Sequence, residues 1–325
     1  MREKIIRAIL DSGDSFISGE QLSKALGISR TAIWKHINAL REEGYNIESV
    51  NKKGYRLAEK PDDILSSENI AYNLPTEFIG KKVIHLDTVG STNDYAKEIG
   101  NKVSGGTLII SEQQTKGKGR LGRVWKSKSG DGIWMSLIIK PKIEPYKAPF
   151  LTLVAGASVV KALSNLDVEA SIKWPNDIIV HNKKICGILT ELSAEMERVN
   201  YVVIGIGINI KTIDFPDEIK EKATSLYKEG YKLSRVDIVR QFCIEFEKLY
   251  KGYILDGNKQ DTLELCRKYS AIIGKQVYVI KNNKRELVKC IDINENGNLI
   301  VKEKNGEIQE IMSGEVSIRG VKGYV

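Results

Sequence analysis

Apolar and polar residues alternate with a helical period along the first part of the chain. This pattern predicts three short helices, around residues 5–10, 19–26 and 30–43. Between the second and the third, Gly27 suits the left-handed conformation that follows a helix end, and Ser29 can cap the next helix. Two short helices, a glycine turn and a capped third helix are typical of a helix-turn-helix.

The pattern then changes to the period of a strand. Residues 45–50 and 55–57 alternate on either side of a polar turn at 51–54, so a hairpin is predicted. A hairpin that follows a helix-turn-helix would be the wing of a winged-helix domain. We assign this domain to residues 1–60.

Such a domain binds DNA through polar and basic residues at the start of its third helix and through basic residues in the wing. A small helical module for protein contact is the alternative. The candidate DNA-binding residues are Ser29, Arg30, Thr31, Trp34, Lys35, Lys52 and Lys53.

Beyond a polar linker at 58–66, strands and helices alternate until about residue 210, and a helical segment follows at 233–269. From residue 275, short alternating strands separated by turns at Asn282-Asn283 and Asn296-Gly297 predict a small β-barrel. The fold class is therefore α+β and multidomain, with further domains at 61–270 and 271–325.

Composition narrows the class of protein. The chain has 325 residues with a net charge of +8, which permits a nucleic-acid partner. Its four cysteines are far apart and only three histidines are present, so a zinc site or disulfide framework is not expected. The longest apolar stretches, 148–160 and 201–210, are too short to span a bilayer, and no secretory signal is recognisable. We expect a cytoplasmic protein with free thiols.

The most informative stretch for function is a basic, glycine-rich loop at residues 113–125. Between Lys116 and Lys128 there are six Lys or Arg residues and no carboxylate. Glycines disfavour a helix here, and exposed amides and cations together can close over an anion. A solvated basic loop is the plain alternative. Predicted strands at 107–111 and 132–139 would anchor both ends, as expected for a lid.

A second stretch predicts a hairpin with a charged entrance, from Ile172 to Glu191. Lys184 begins its return strand and could direct a cation into a site, while Asp177 could accept a proton or hold an amine. Lys184 could equally be a surface lysine at a strand edge. In the buried strand after it, Gly205 and Gly207 share one face, where a ligand could approach closely.

Together these residues resemble the biotin protein ligases, and the winged helix resembles the bifunctional subgroup that also represses biotin genes. The resemblance spans the whole chain, and it implies a biotin/lipoate ligase-like central domain and an SH3-like C-terminal barrel. One position departs from the family, whose loop usually has arginine where this chain has Lys118. The residues that carry the resemblance are Ser91-Thr-Asn93, Gln114, Gly117–Trp125, Lys173–Asp177, Lys184–Gly187 and Gly205–Asn209.

The resemblance implies that biotin and ATP, with Mg²⁺, form biotinyl-5′-AMP, from which biotin passes to a lysine of a biotin carboxyl carrier domain. Lys184, Arg120 and Asp177 would be catalytic. Biotin would contact Ser91, Thr92, Asn93, Gln114, Lys118, Gly119, Arg120, Trp125 and Lys184. ATP or the adenylate would contact Lys118, Arg120, Lys173, Asn176 and Asn209. No metal-ligating residue is assigned.

As a repressor, the protein is expected to form a homodimer when it binds biotinyl-AMP and to bind an inverted-repeat operator. No membrane partner is expected. Two alternatives stay open: a ligand-sensing repressor without ligase activity, and a ligase for lipoate or another acyl group on the same fold.

Overall fold

The computed structural model describes residues 1–58, 63–281, 284–313, 316–321 and 323–325. The chain divides into two units, the first comprising 1–73 with 234–236 and the second comprising 74–233 with 237–325. The predicted turn at Asn282-Asn283 lies outside the described residues.

The first unit has the predicted order of three helices and a hairpin. Ser18 and Ser29 cap the second and third helices, and Gly27 ends the second with a φ of 68°. Isoleucine and leucine side chains from all three helices form its core. The second helix buries Leu22, whereas Ala25 on the same helix is exposed. The elements are α1 Arg2–Asp11, α2 Gly19–Leu26, α3 Arg30–Glu42, β1 Ile47–Val50, β2 Gly54–Leu57 and α4 Ser67–Ala71.

The second unit is built on a seven-stranded mixed sheet of order β3-β4-β5-β9-β8-β7-β6. Only β3 and β4 pair in parallel among the described strands. Its elements are β3 Val83–Val89, α5 Thr92–Ile99, β4 Thr107–Gln114, β5 Gly132–Ile139, α6 Phe150–Ser164, β6 Ser171–Lys173, β7 Asp177–Val180, β8 Lys183–Ala194, β9 Val199–Asn209, α7 Arg235–Leu255 and α8 Gln260–Lys268. Residues 234–236, where α7 begins, are grouped with the first unit.

Helix α6 is largely apolar, and most of its residues are buried against β6, β7, β8 and α8. Helix α6 and the turn before it span residues 145–164, which by length and composition alone could cross a membrane. However, 72% of that stretch is buried inside the unit. It is therefore longer than the apolar run predicted from sequence, and it is a core helix of this unit.

The C-terminal strands form an antiparallel sheet of order β13-β12-β11-β10-β14. No pairing joins β13 to β14 in the described part of the chain, so these strands are the two edges of an open sheet rather than neighbours in a closed barrel. The strands are β10 Gln276–Lys281, β11 Lys284–Ile293, β12 Leu299–Lys302, β13 Ile308–Ile311 and β14 Ser317–Gly320. This sheet belongs to the same unit as the central sheet.

Candidate active site

Glycines open a small cavity on the central sheet. Gly187 of β8 pairs with Gly207 of β9, and a β-carbon on either would lie within 3.0 Å of the Trp125 ring. A β-carbon on Gly205 would lie 2.2 Å from Asn93 Oδ1. These residues are glycine because side chains from the loop and from α5 lie directly on the strands. The cavity has about 50 Å³ and is also lined by Ser91, Thr92, Gln114, Lys118, Gly119, Arg120, Met135, Asn176, Lys184, Ile188, Leu189 and Ile206.

The polar end of this cavity lies at the start of α5. Ser91 precedes the helix but makes no side-chain cap, and Gln114 takes that role, since its Oε1 accepts from the backbone N–H of Thr92 at 2.8 Å. Gln114 Nε2 donates to Ser127 Oγ at 2.8 Å. Ser91, Thr92 and Asn93 are all buried. The structure therefore brings the four predicted polar residues together at one wall.

Two further residues, which do not line the cavity themselves, hold Thr92 and Asn93 in place. Ser136 Oγ, fully buried on β5, lies 2.8 Å from Thr92 Oγ1 and 2.5 Å from Asn93 Oδ1. Asn93 Nδ2 donates to Glu191 Oε2 at 2.7 Å. Neither Ser136 nor Glu191 was predicted from the sequence. The available signal was one hydroxyl in an otherwise apolar strand, because a buried polar group needs a partner.

The basic loop folds back on itself. Trp125 N–H donates to the Gly117 carbonyl at 2.9 Å, and Gly119 N–H donates to the Arg123 carbonyl at 2.7 Å. Gly117 is buried, and a β-carbon there would lie 2.3 Å from the Trp125 carbonyl oxygen. The Trp125 ring meets Trp134 edge-on at 6.5 Å and forms an apolar wall of the small cavity.

Lys118 and Arg120 have different surroundings. Lys118 Nζ lies 2.7 Å from Asp94, at the start of α5, and Lys118 is exposed whereas Asp94 is half-buried. Arg120 is half-buried, and it donates to Asn176 Oδ1 at 2.8 Å and to the Ser313 carbonyl at 2.6 Å. Burial lowers the pKa of Arg120, and the carboxylate of Asp177 opposes that shift. Arg120 is thus the more firmly placed cation of the loop.

Lys184 and Asp177 form an ion pair beside the cavity, with Lys184 Nζ 2.5 Å from Asp177 Oδ1. The Lys184 ammonium also lies 5.2 Å from the centre of the Trp125 ring. Burial raises the pKa of Asp177, but Lys184 and the Tyr324 hydroxyl outweigh it, so the pKa lies below its ordinary value. Lys184 is therefore a cation of the cavity wall and not a solvated strand-edge lysine.

Lys173 is almost completely buried, and its Nζ lies 3.3 Å from the centre of the Tyr324 ring. Burial lowers the pKa of Lys173 to about 7, although Asp177 opposes the shift. Tyr324 comes from the C-terminal segment, which sequence analysis did not connect with the site. An aromatic residue about 150 positions away carries no local signal of this contact.

A larger cavity of about 690 Å³ adjoins the small one. Gly119, Arg120, Trp125, Asn176 and Lys184 line both. The larger cavity is also lined by Lys173 and Asn209, by residues 212–223 in part, and by the C-terminal residues 316–319 and 324. Asn209 is buried there and donates to the Thr224 carbonyl at 3.1 Å. Four of the five predicted adenylate residues thus line the larger cavity, whereas the fifth, Lys118, lines only the smaller one.

In the first unit, the candidate DNA-binding residues share an accessible surface of α3 and the tip of the hairpin. Arg30, Thr31, Trp34 and Lys35 are exposed, and Trp34 has 55% of its surface accessible. Ser29 Oγ accepts from the Ala32 backbone N–H at 3.2 Å, so its hydroxyl serves as the helix cap. Lys52 and Lys53 are exposed in the turn between β1 and β2.

Comparison with known families agrees with this arrangement. Residues 86–209 match the biotin/lipoate A/B protein ligase family, residues 2–56 an HTH domain, and residues 272–319 the biotin protein ligase C-terminal domain. The chain is 42% identical to the bifunctional ligase/repressor BirA of Bacillus subtilis, with 98% of each chain covered. It belongs to the biotin protein ligase family.

Two further relatives support the assignment. The bifunctional ligase/repressor BirA of Escherichia coli is 31% identical to this ligase, over 97% of this chain and 96% of that protein. The structure of the Aquifex aeolicus biotin protein ligase in complex with biotin and ATP is 32% identical, with a TM-score of 0.65. That alignment covers 74% of this chain and 99% of the Aquifex chain.

Proposed function

We propose that this protein ligates biotin to a lysine of a biotin carboxyl carrier domain through biotinyl-5′-AMP, and that the adenylate makes it a repressor of biotin genes. The observation that carries the ligase function is the junction of the two cavities. Arg120, Asn176 and Lys184 line both. A carboxylate at the end of the small cavity and a phosphate in the large one would therefore meet at two cations.

The small cavity suits biotin. The ureido group of biotin offers two N–H donors and one carbonyl, which match the hydroxyl and amide groups of Ser91, Thr92, Asn93 and Gln114. Trp125 provides the apolar wall for the ring system and its tail. Ligand pockets commonly measure about 300–1,000 Å³. A cavity of about 50 Å³ must therefore widen when biotin enters.

In the first step, biotin carboxylate attacks the α-phosphate of ATP and pyrophosphate leaves. Both reactants are anionic, so cations must hold them together. Lys184 and Arg120 occupy the junction where these groups would meet, and the Gly119 backbone N–H is nearby. Lys118, Lys173, Asn176 and Asn209 would contact the nucleotide. This is catalysis by position and charge and requires no covalent nucleophile.

In the second step, the amine of the carrier lysine attacks the biotinyl carbonyl of the adenylate. An amide bond forms, the bond from that carbonyl to the phosphate oxygen breaks, AMP leaves and the amine releases a proton. Asp177, which lines the larger cavity and pairs with Lys184, would accept a hydrogen bond from the amine and orient it.

Mg²⁺ would enter with the nucleotide. No three acidic, histidine or cysteine side chains among the described residues come together to hold a metal. Asp177 already contacts Lys184 and Tyr324. Protein-bound Mg²⁺ commonly keeps several waters and uses one or two carboxylates together with substrate phosphates. We therefore assign Mg²⁺ to the ATP complex, as part of the substrate.

The remaining assignments follow the same function. Residues 1–60 would bind operator DNA, 61–270 would catalyse ligation, and 271–325 would form the C-terminal domain of the family. One winged helix can read one half-site, so an inverted repeat requires two copies. We therefore propose a cytoplasmic homodimer that forms on binding biotinyl-AMP.

One assay in two parts tests the ligase function against its alternatives. Purified protein should release pyrophosphate from ATP with biotin, and not with lipoate, and should then label a carrier domain on its lysine. Pyrophosphate release with lipoate alone would favour the acyl-ligase alternative. Operator binding without any pyrophosphate release would favour a repressor that does not catalyse.

A further inference from the structure

Tyr324 connects the C-terminal segment with the catalytic ion pair. Its hydroxyl donates to Asp177 Oδ2, and its ring lies against the ammonium of Lys173. Tyr324 itself is buried, with 8% of its surface accessible. A hydroxyl and a ring face of one buried side chain therefore serve two different charged groups of the larger cavity.

The backbone places Tyr324 there by reversing after β14. The Gly320 N–H donates to the Tyr324 carbonyl at 3.4 Å. A β-carbon on Gly320 would lie 2.2 Å from the carbonyl carbon of Val325, so the close return of the chain requires glycine at this position. The C-terminal sheet also reaches the site through the Ser313 carbonyl, which accepts from Arg120.

Asp177 is held by both of its oxygens, Oδ1 by Lys184 and Oδ2 by Tyr324. In the proposed reaction, Lys184 turns to the anions of the adenylate and releases Oδ1. The hydroxyl of Tyr324 has no such competing partner in the reaction, so Oδ2 stays held. The carboxylate then keeps its orientation and presents Oδ1 to the incoming amine.

We propose that Tyr324 is a positioning residue of the transfer step, whose hydroxyl fixes Asp177 and whose ring seats Lys173 at the cavity wall. The proposal rests on the role proposed above for Asp177. It makes the C-terminal segment a part of the active site.

Tyr324→Phe is the decisive variant because it removes the hydroxyl and keeps the ring against Lys173. Transfer of biotin from preformed biotinyl-AMP to a carrier domain should lose about tenfold or more in kcat, since hydrogen bonds to charged groups are worth about that much. The KM for the carrier and the Kd for biotin should stay within twofold. Tyr324→Leu should lose the same factor in transfer. It should also weaken ATP binding, because the ring that packs against the Lys173 ammonium is removed.

Tyr278→Phe is the matched control, since Tyr278 lies on β10 of the same sheet, where its ring stacks on Arg285 and it lines neither cavity. It should transfer at the wild-type rate. A second test combines Tyr324→Phe with Asp177→Asn: if Tyr324 acts through Asp177, the double variant is no slower than Asp177→Asn alone.

Three results would overturn the proposal. The first is that Tyr324→Phe transfers biotin at the wild-type rate. The second is that Tyr324→Phe loses equal factors in adenylation and in transfer and also has a lowered melting temperature. The third is that the losses of Tyr324→Phe and Asp177→Asn add up in the double variant. Failure of the wild-type protein to form adenylate or to label the carrier would instead refute the ligase function itself. The two failures are therefore distinguishable.

Discussion

At the scale of single residues, the site depends on a few charges that are held by one another. Lys184 pairs with Asp177, and Lys118 pairs with Asp94. Arg120 donates to uncharged oxygens of Asn176 and Ser313. An anionic ligand must therefore compete with a carboxylate for each of these two lysines.

Replacement of Lys184 should reduce adenylate formation. Lys184→Gln keeps a hydrogen-bond donor near Asp177 and removes the charge, so we expect about a tenfold to hundredfold loss in single-turnover pyrophosphate release. Lys184→Ala should lose at least as much. The matched control is Lys183→Ala, on the same strand and outside both cavities. Wild-type adenylation in a folded Lys184→Gln protein would contradict the assignment.

Replacement of Arg120 should weaken retention of the adenylate. Arg120→Gly removes the side chain that joins the loop to Asn176 and Ser313. We expect biotinyl-AMP to dissociate at least tenfold faster in stopped flow, with labelling of bystander lysines by released adenylate. Lys116→Ala is the control, because Lys116 is an exposed cation of the same loop and lines neither cavity. Equal dissociation rates in the two variants would show that Arg120 does not retain the adenylate.

The sequence predicted those residues of this site that lie close to one another along the chain. Lys184 and Asp177 lie on neighbouring strands of one hairpin, so their approach follows from the hairpin itself. Ser136, Glu191 and Tyr324 come from separate elements, and only the completed sheet brings them to the site. Tyr324 is the clearest case, since 147 positions separate it from Asp177.

At the scale of elements, β9 shows why two glycines stand in a buried strand. A β-carbon on Gly207 would lie 2.5 Å from Trp125 Nε1, and one on Gly205 would lie 2.2 Å from Asn93 Oδ1. The two glycines of β9 are therefore explained by the loop and α5 side chains that lie against them, and not by the β-propensity of glycine. The alternation of these glycines could be recognised in the sequence, but the side chains that cover them could not.

Gly207→Ala should impair biotin binding and leave the fold intact, because the loop that carries Trp125 can shift more easily than a strand. We expect at least a tenfold weaker Kd for biotin by isothermal titration. Gly156→Ala in α6 is the control, since its β-carbon would meet Ile188 at an ordinary 3.8 Å. Alanine there should leave biotin affinity unchanged and stabilise the helix by up to about 1 kcal/mol. Unchanged affinity in Gly207→Ala would contradict this account of the cavity.

Helix α7 fixes the segment that leads into the central sheet. Glu247 accepts from the backbone N–H groups of Glu77, Phe78 and Ile79 at 2.6–2.9 Å. Burial raises the pKa of Glu247, but these three donors outweigh it, and the pKa lies below its ordinary value of 4.5. A carboxyl group with a lowered pKa in the folded state stabilises the fold above its unfolded pKa. That contribution is lost as the pH falls through the lower folded value.

Glu247→Gln should therefore destabilise the protein by about 1.5–3 kcal/mol at pH 7, because the amide can accept fewer of the three N–H groups. The difference from wild type should shrink as the pH falls through the folded-state pKa of Glu247, which lies below its ordinary value, because the wild-type carboxyl then becomes protonated too. Chemical denaturation at several pH values measures both effects. A difference that is independent of pH would show that the charge of Glu247 is not the cause.

The order of elements followed from periodicity and turn residues, and the third helix and the wing hairpin were predicted almost to the residue. Closure of the C-terminal strands was not predictable, because alternation indicates a strand but not whether the first and last strands pair. The structure has an open sheet with β13 and β14 at its edges among the described residues. Ser313 follows one of these edge strands and contacts Arg120, and Tyr324 follows the other and contacts Asp177.

At the scale of the whole molecule, one ligand, biotinyl-AMP, would serve both ligation and DNA binding. The winged-helix unit offers one α3, which suffices for a half-site but gives too little contact for tight specific binding. The adenylate would lie in the second unit. Coupling between them is therefore expected to act through the monomer–dimer equilibrium, since two copies held together can read both halves of an inverted repeat.

This coupling must be reciprocal. If biotinyl-AMP strengthens dimerisation by some factor, dimerisation must strengthen adenylate binding by the same factor. Allosteric coupling of 1–3 kcal/mol corresponds to about 5–150-fold, so we expect at least a fivefold shift in both equilibria. Sedimentation with and without biotin and ATP measures the first shift. Adenylate dissociation at low and high protein concentration measures the second.

The affinity for operator DNA should also depend on biotinyl-AMP. The full-length protein should bind DNA upstream of its own biotin genes at least fivefold more tightly with biotinyl-AMP than without it. Arg30→Ala combined with Lys35→Ala should abolish that binding and leave carrier labelling at the wild-type rate, because both residues lie exposed on α3 in the first unit. Lys24→Ala is the control, as an exposed lysine on α2 outside the DNA-binding set. A dimer that forms equally well without ligand, and whose operator affinity ignores biotin, would refute the coupling while leaving the ligase reaction untouched.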